Sequence, residues 1–251
     1  MGLLWGGRRW IGSPLLWSEF TLDQFVGDRG GRMATIRRIH KITDEKFLNM
    51  YILEGEKKTG APMRYQLASR AGRVEDLKMK SQKEDADAVI VYALYAGEEA
   101  FDSKDEAACQ SLRESADLRV VMVRQYRAAV DSFVYELPAG LVDPEEDMRQ
   151  AAVRETFEET GLKLDILNVD PIFEKARFTT IGMTDENNGI VYGYAYGLPD
   201  TAYEEDSEEI EVILADRKRV REILAKGKVS MPTAYQLMHF LGEGDPFAFL
   251  S

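Results

Sequence analysis

Glu155, Glu158 and Glu159 stand three and four positions apart in a run whose apolar residues repeat with a helical period, closed by Gly161. Positions at that spacing share one face of a helix, so the three carboxylates project together near its C-terminal end. The backbone dipole is negative there and disfavours further acids, so the group needs a compensating charge. A hard divalent cation with oxygen ligands supplies it. Such an ion also polarises phosphoryl oxygens and lowers the pKa of a coordinated water. Taken alone, Glu-x-x-Glu-Glu reads more readily as a solvated acidic helix face.

The surrounding stretch decides between the two. From Gly140 to Leu162 the chain reads GLVDPEEDMRQAAVRETFEETGL. This resembles the Nudix box, G-x5-E-x7-R-E-U-x-E-E-x-G-U, where U is a bulky aliphatic residue. Gly140, Glu146, Arg154, Glu155, Glu158, Glu159, Gly161 and Leu162 all fall in register, and only Thr156 departs, at an inward-packing position that carries no ligand. The resemblance implies Glu155 and Glu159 as direct ligands of Mg²⁺ or Mn²⁺, with Glu158 as a further ligand or water-orienting group. It adds the backbone carbonyl of Ala139 as a ligand and gives Arg154 the task of orienting the acids through an ion pair. Glu146 is left with two readings, a support for the loop and early helix or a metal contact.

The flanks narrow the resemblance. Arg124-Gln125-Tyr126-Arg127 followed by Tyr135-Glu136-Leu137-Pro138-Ala139-Gly140 is similar to the ADP-ribose pyrophosphatase branch, with its Q-[YF]-R strand and E-L-P-A-G run. That branch carries a small N-terminal β-subdomain that helps to form a homodimer and the nucleotide pocket, a part that residues 34–80 fit. The resemblance runs from about Met33 to Leu241 and is strongest over residues 120–190. The branch has S-P-G beyond the box, where this chain reads Thr180-Ile181-Gly182. A second departure is the long polar segment from Gly97 to Asp117, read as a neutral surface insertion or as a shaper of substrate access or of a partner surface.

Hydrolysis needs a group to take the proton of the attacking water. Glu186, at the family's loop-carboxylate position beside Asp185, is the first choice and Glu158 the second. Arg124, Arg127 and Glu136 are the expected substrate-binding residues; the two arginines, three apart on a strand, face opposite sides of it. His40 and His239 are read as structural.

These residues need elements to hold them. Alternation of apolar and polar residues predicts strands at Phe47–Leu53, Met63–Arg70, Asp87–Tyr95, Leu118–Arg127, Phe133–Leu137, Ile166–Ala176, Gly189–Gly197 and Ile210–Leu214. Helical spacing predicts helices at Glu145–Thr160, entered through Asp143-Pro144, and at Arg217–Lys226 and Thr233–Leu241. On the first helix Met148, Ala151, Ala152, Val153 and Phe157 form the expected apolar stripe. The acidic run Glu204–Glu209 reads as a solvated loop.

A net charge of −12, from 32 basic and 44 acidic residues, argues against a nucleic-acid polymer as partner, because phosphate contacts need clustered Lys and Arg. A small anionic substrate stays compatible, since a bound cation reverses the local field. One cysteine, Cys109, excludes an intramolecular disulfide and fits a reducing cytoplasm. Two histidines and one cysteine make a zinc site improbable. No apolar run reaches the length of a membrane span, roughly 18–20 residues.

The sequence therefore implies an α+β protein: a Nudix α/β/α sandwich with a mixed sheet over 84–245, a β-rich subdomain over 33–80, and a leader over 1–32. The leader reads as non-native, with an ordered arm as the alternative. The implied activity is metal-dependent cleavage of ADP-ribose or an ADP-sugar to a nucleoside monophosphate and a sugar phosphate. Two alternatives stay open: the same chemistry on a GDP-sugar, a dinucleotide or a coenzyme pyrophosphate, or nucleotide sensing without hydrolysis.

Overall fold

The computed structural model describes Phe20–Thr21 and residues 34–200, 209–242 and 244–250. The rest of the expected leader and residues 204–208 of the acidic run lie outside the described residues. The chain divides into two units, one made of residues 1–82 with Gly182–Asp185 and the other of residues 83–181 with 186–251.

The first unit is an antiparallel sheet of β1 (Phe20–Thr21), β2 (Thr35–Lys41), β3 (Asn49–Glu56) and β4 (Pro62–Ser69), in that order. In β3 the period of two buries Asn49, Tyr51 and Leu53, and the last two join Ile39, Leu67, Val74 and Leu77 in one core. Phe47 and Leu48, read as the start of this strand, instead lie in the preceding turn and are exposed. Leu77 precedes the short helix α1 (Lys78–Ser81). The segment Gly182–Asp185 completes this unit: Ala68 N–H donates to the Met183 carbonyl (3.0 Å), and the Asp185 carboxylate accepts from Lys78 N–H (3.2 Å).

Tyr51 is buried in this core and its hydroxyl donates to the Ala71 carbonyl at 2.6 Å. Burial, with smaller contributions from Asp185 and Asp76, pushes its pKa from 10.0 up to about 12. A phenol that ionises later in the folded than in the unfolded chain contributes stability below pH 10 and loses it as pH rises toward 12. Tyr51→Phe is therefore expected to flatten the fall in the urea midpoint across that window, at a cost of about 1 kcal/mol at neutral pH for the lost hydrogen bond. An equally steep alkaline fall in the variant would assign the ionisation elsewhere.

The second unit is built on β5 (Ala88–Tyr95), whose side chains are buried on both faces for nearly its whole length. The helix α2 (Glu106–Arg113) follows, then β6 (Arg119–Arg127), β7 (Ser132–Glu136), β8 (Ala139–Leu141), α3 (Met148–Thr160) and β9 (Lys163–Ile166). The chain continues through α4 (Pro171–Glu174), β10 (Arg177–Phe178), β11 (Asn187–Tyr196), β12 (Ile210–Asp216), α5 (Arg217–Lys226) and α6 (Met231–Leu241). The sheet runs β10-β11-β5-β6-β12, with β7 on β6, β8 on β5 and β9 on β11. It is mixed, since β5 and β11 pair in parallel and the other pairs are antiparallel.

The period of two along β5 sorts the core into layers. Val89, Val91 and Ala93 pack with Ala151 and Ala152 of α3 on one face. Ile90, Tyr92 and Leu94 pack on the other face with Val220 and Ile223 of α5 and with Leu237 and Phe240 of α6. Helices thus cover both faces of a mixed sheet, the α/β/α sandwich expected, and the small antiparallel sheet forms the β-rich subdomain.

Two expectations need correction. The strand expected over Ile166–Ala176 ends at Ile166; Asp170 caps a short helix, with Pro171 at its first position and the Asp170 carboxylate accepting from Ile172 N–H at 2.9 Å. The 97–117 segment is not a neutral surface insertion. Phe101, Cys109 and Leu112 pack into the layer beneath α5 and α6, and the Arg113 guanidinium joins the Tyr194 hydroxyl (2.9 Å) to Asp245 (2.9 Å).

Candidate active site

The helix that carries the three glutamates starts later than its periodicity suggests. Asp147 is the N-cap, its carboxylate accepting from Arg149 N–H (2.9 Å) and Gln150 N–H (2.8 Å), while the Gln150 side chain accepts from Asp147 N–H (2.8 Å). This capping box satisfies the first orphan donors and sets the start at Met148, leaving Asp143-Pro144 in the turn upstream. The end is as expected: Gly161 takes φ +70°, and a side chain there would meet Asp200 N at 2.7 Å.

The buried face of α3 differs from the predicted stripe. Ala151, Ala152, Thr156, Glu159 and Thr160 are buried, whereas Val153 and Phe157 are exposed. The alanines let the helix lie close to the sheet. The threonines are tolerated because each hydroxyl bonds back one turn, Thr156 to the Ala152 carbonyl at 2.7 Å and Thr160 to that of Thr156.

Arg154 is the hub. Its Nη1 donates to Glu155 Oε1 (2.7 Å) and to Glu158 Oε2 (2.9 Å). Its Nε donates to Glu146 Oε2 (3.2 Å), and its Nη2 donates to Glu146 Oε1 and to the Leu141 carbonyl (2.9 Å). One planar fork therefore gathers three carboxylates, which an ammonium could not do in the same geometry. The hydrogen bonds from Arg154 hold the Glu146 carboxyl below the usual range against the opposing effect of burial, and the acids raise the Arg154 guanidinium in turn. Glu146 also accepts from Asp143 N–H at 3.0 Å, so it steadies the loop ahead of the helix.

The floor of the site is β8. Glu159 is 2% exposed and accepts from Ala139 N–H at 3.0 Å. Glu155 lies against Gly140 so closely that a Cβ there would stand 1.9 Å from its carboxylate. The box glycine is thus explained by contact. Gly140→Ala is expected to displace Glu155 and to cost about 1–3 kcal/mol of stability through overpacking. The readouts are thermal unfolding and a fall in turnover of about tenfold or more; unchanged turnover would detach Glu155 from the reaction.

Arg127 pairs with Glu136 (Nε to Oε2, 2.7 Å) across the β6–β7 ladder, where Arg127 stands opposite Ser132 and Val123 opposite Glu136. Arg124 lies on the other face, its guanidinium 4.1 Å from the Phe133 ring centroid and paired to Glu211 at 3.0 Å. Glu186 immediately precedes β11, its carboxylate 3.5 Å from Thr179 Oγ1, and it is not among the acids on Arg154. The structure therefore brings together Arg154, Glu155, Glu158 and Glu146 and sets Glu159 on Ala139; Arg124, Arg127, Glu136 and Glu186 are not among the hydrogen-bond partners of Arg154. Of the predicted structural histidines, His40 Nε2 lies 3.5 Å from Glu54, and His239 stacks on Phe249 at 4.3 Å.

The donor set is all oxygen and fits a hard cation in kind. Among the described residues no three acids, histidines or cysteines group as metal ligands, and Glu146, Glu155 and Glu158 are paired to Arg154. A cavity of about 490 Å³ opens beside the loop, lined by Glu84, Asp85, Glu146, Met148, Glu174 and Lys175 among others. Burial raises the Glu174 carboxyl there, and Arg149, 3.3 Å away, opposes the shift. Two contributors to the site had no sequence signal of their own, the N–H of Ala139 and the carbonyl of Leu141. They serve because β8 pairs with β5 beneath α3.

Comparison with known proteins agrees with this architecture. The chain is 33% identical over 111 residues to a Caenorhabditis elegans protein assigned by name alone to the nudix hydrolases, covering 42% of this chain and 48% of that one. It is 37% identical over 65 residues to an ADP-ribose pyrophosphatase of Saccharomyces cerevisiae, covering 26% of this chain and 28% of that protein. It is 38% identical over 52 residues to an ADP-sugar pyrophosphatase of Mus musculus, covering 21% and 24%. The matched stretches thus span half, or less, of those relatives' own length. A crystal structure of an ADP compounds hydrolase superposes with a TM-score of 0.52 over 79% of this chain and 86% of that chain, at 15% identity, a likeness of fold. The NUDIX domain model matches residues 106–231, half of the chain and the whole of α3 with its floor, and the chain belongs to the Nudix family.

Proposed function

We propose that this protein hydrolyses the pyrophosphate bond of a nucleoside diphosphate derivative, with ADP-ribose or an ADP-sugar as the substrate. The observation that carries the reading is the carboxylate cluster itself: Glu155 and Glu158 on one guanidinium nitrogen, and Glu159 buried against β8. The likeness to the yeast ADP-ribose pyrophosphatase and the mouse ADP-sugar pyrophosphatase supports the substrate class. Glu155, Glu158, Glu159 and the Ala139 carbonyl are the groups that would hold Mg²⁺ or Mn²⁺, which neutralises phosphate oxygens and acidifies a bound water.

The chain's own residues do the rest. Arg154 keeps the acids aimed through its hydrogen bonds to Glu155, Glu158 and Glu146. The Arg127–Glu136 pair lies on the face of β6 and β7 opposite Arg124, and Arg127 supplies a fork for a phosphate or ribose group. Glu186, or Glu158 in its place, takes a proton from the attacking water as the new phosphorus–oxygen bond forms. The bridging P–O bond breaks, and a nucleoside monophosphate and a sugar phosphate leave. The proposal includes a homodimer built through the β-rich subdomain and a cytoplasmic setting, consistent with one buried free cysteine, Cys109. Among the described residues no helix is long and apolar enough to cross a membrane.

A second substrate reading keeps the chemistry. Ile181, 67% exposed, stands where the branch has proline, which leaves a GDP-sugar, a dinucleotide or a coenzyme pyrophosphate open. The test is phosphate release, coupled through a phosphatase, across ADP-ribose, GDP-mannose, UDP-glucose, NADH, diadenosine polyphosphates and nucleoside triphosphates, with Mg²⁺ and with EDTA. Turnover dominated by ADP-ribose and abolished by EDTA is expected. Preference for another substrate would move the assignment within the family, and binding without any turnover would replace hydrolysis by nucleotide sensing.

A further inference from the structure

On the sheet face turned away from α3, a cavity of about 410 Å³ lies between β7 and α5. Its lining includes four cations, Arg124, Arg219, Lys226 and Lys228, against one acid, Glu222. In a chain of net charge −12 this is a local reversal of sign. The two arginines are already engaged, Arg124 with Glu211 (3.0 Å) and Arg219 with Glu222 (3.4 Å). Among the described residues neither lysine has an acidic partner, so the uncompensated charge sits on Lys226 and Lys228.

The walls are fixed. Arg124 rests on the Phe133 ring, 4.1 Å from its centroid, which presents a planar cationic surface. Tyr135 N–H donates to the Lys228 carbonyl at 2.8 Å, so a single parallel bridge holds the segment after α5 against β7. Gly227 allows that approach: a Cβ there would meet the Ile223 carbonyl and the Tyr135 ring at 2.8 Å. The bare residue brings the segment onto Tyr135 and places a lysine on either side of it.

We propose that this cavity is a second binding site, separate from the carboxylate cluster on α3, for a small phosphate-bearing ligand. The lysines recognise the phosphate, and the Arg124–Phe133 stack and Tyr135 form the wall for whatever the phosphate carries. Such chemistry is shared by a nucleoside monophosphate, a sugar phosphate and free phosphate.

The test titrates adenosine monophosphate, ribose 5-phosphate and inorganic phosphate separately into the full chain in EDTA. Heat of binding is recorded, together with mass-spectrometric protection of Lys226 and Lys228 from acetylation. The expected result is protection of both lysines by at least one of the three, the tightest naming the source of the phosphate. K226E/K228E should weaken that ligand about tenfold or more, whereas K226R/K228R, which keeps charge and controls for folding, should retain it. Failure of all three to protect either lysine, or equal affinity in the wild type and K226E/K228E, would overturn the proposal. Either result leaves turnover at α3 as a separate question.

Discussion

Glu159→Gln is expected to reduce metal-dependent hydrolysis by about 10²–10³-fold while leaving the fold intact. Glu159 is 2% exposed and accepts a hydrogen bond from Ala139 N–H at 3.0 Å. Glutamine has the same shape and an oxygen that accepts that bond, so the helix keeps its seat on β8. What it lacks is the negative charge that the proposed hard cation would draw on at this position. The decisive pair of measurements is kcat with saturating Mg²⁺ and the thermal midpoint of the same preparation. A midpoint close to wild type with the expected loss of kcat places Glu159 in the reaction. Retention of more than about a tenth of the wild-type rate would remove it from the ligand set and leave Glu155 and Glu158 to carry the site.

Arg154→Ala carries the largest expected effect on stability, about 2–3 kcal/mol at neutral pH. Three carboxylates share this one guanidinium, and their side chains are only 14–39% exposed, so removing it leaves them facing each other with little solvent between. Loss of one partner from a largely buried ion cluster costs more than a surface pair does, because the remaining charges stay desolvated. The pH dependence has a definite sign. Arg154 holds the Glu146 carboxyl below 4.5, so this stabilisation is present above that value and is lost as pH falls through the depressed pKa. The stability gap between wild type and variant is therefore widest near neutrality and closes as pH falls through that depressed range. Added Mg²⁺ should narrow it at neutral pH, since a cation that binds only the folded chain stabilises it by mass action. Arg154→Lys should recover part of the stability, because one ammonium offers charge without the fork. A gap that stays constant with pH would show that packing of the arginine stem, rather than its charge, is what α3 uses.

Local order determined much of what this chain became. The spacing of Glu155, Glu158 and Glu159 before Gly161 placed three acids on one face of one helix, because helical geometry follows from bonds between near neighbours. The continuous apolar runs in Ala88–Tyr95 and at Val120–Val123 marked the central strands, because a strand buried on both faces needs apolar residues at every position. The start of α3 was legible only in retrospect: Asp147 and Gln150 form the capping box, and Pro144 three residues earlier is the more conspicuous but weaker signal.

Tertiary structure decided what local periodicity cannot express. Phe157 and Val153 outrank Thr156 and Thr160 in hydrophobicity, yet the threonines are buried. The side of α3 that meets β5 and β9 is chosen by where those strands run, and back-bonded hydroxyls make the choice tolerable. The 97–117 segment reads as polar, but it places Cys109 and Leu112 in a layer formed by α5 and α6, more than a hundred residues later. Gly140 matters because long-range pairing lays β8 beside β5 and under Glu155, a contact absent from any window of sequence. The chain itself specified which acids and which guanidinium share one helix; the sheet that assembles from distant segments specified which backbone atoms lie against them.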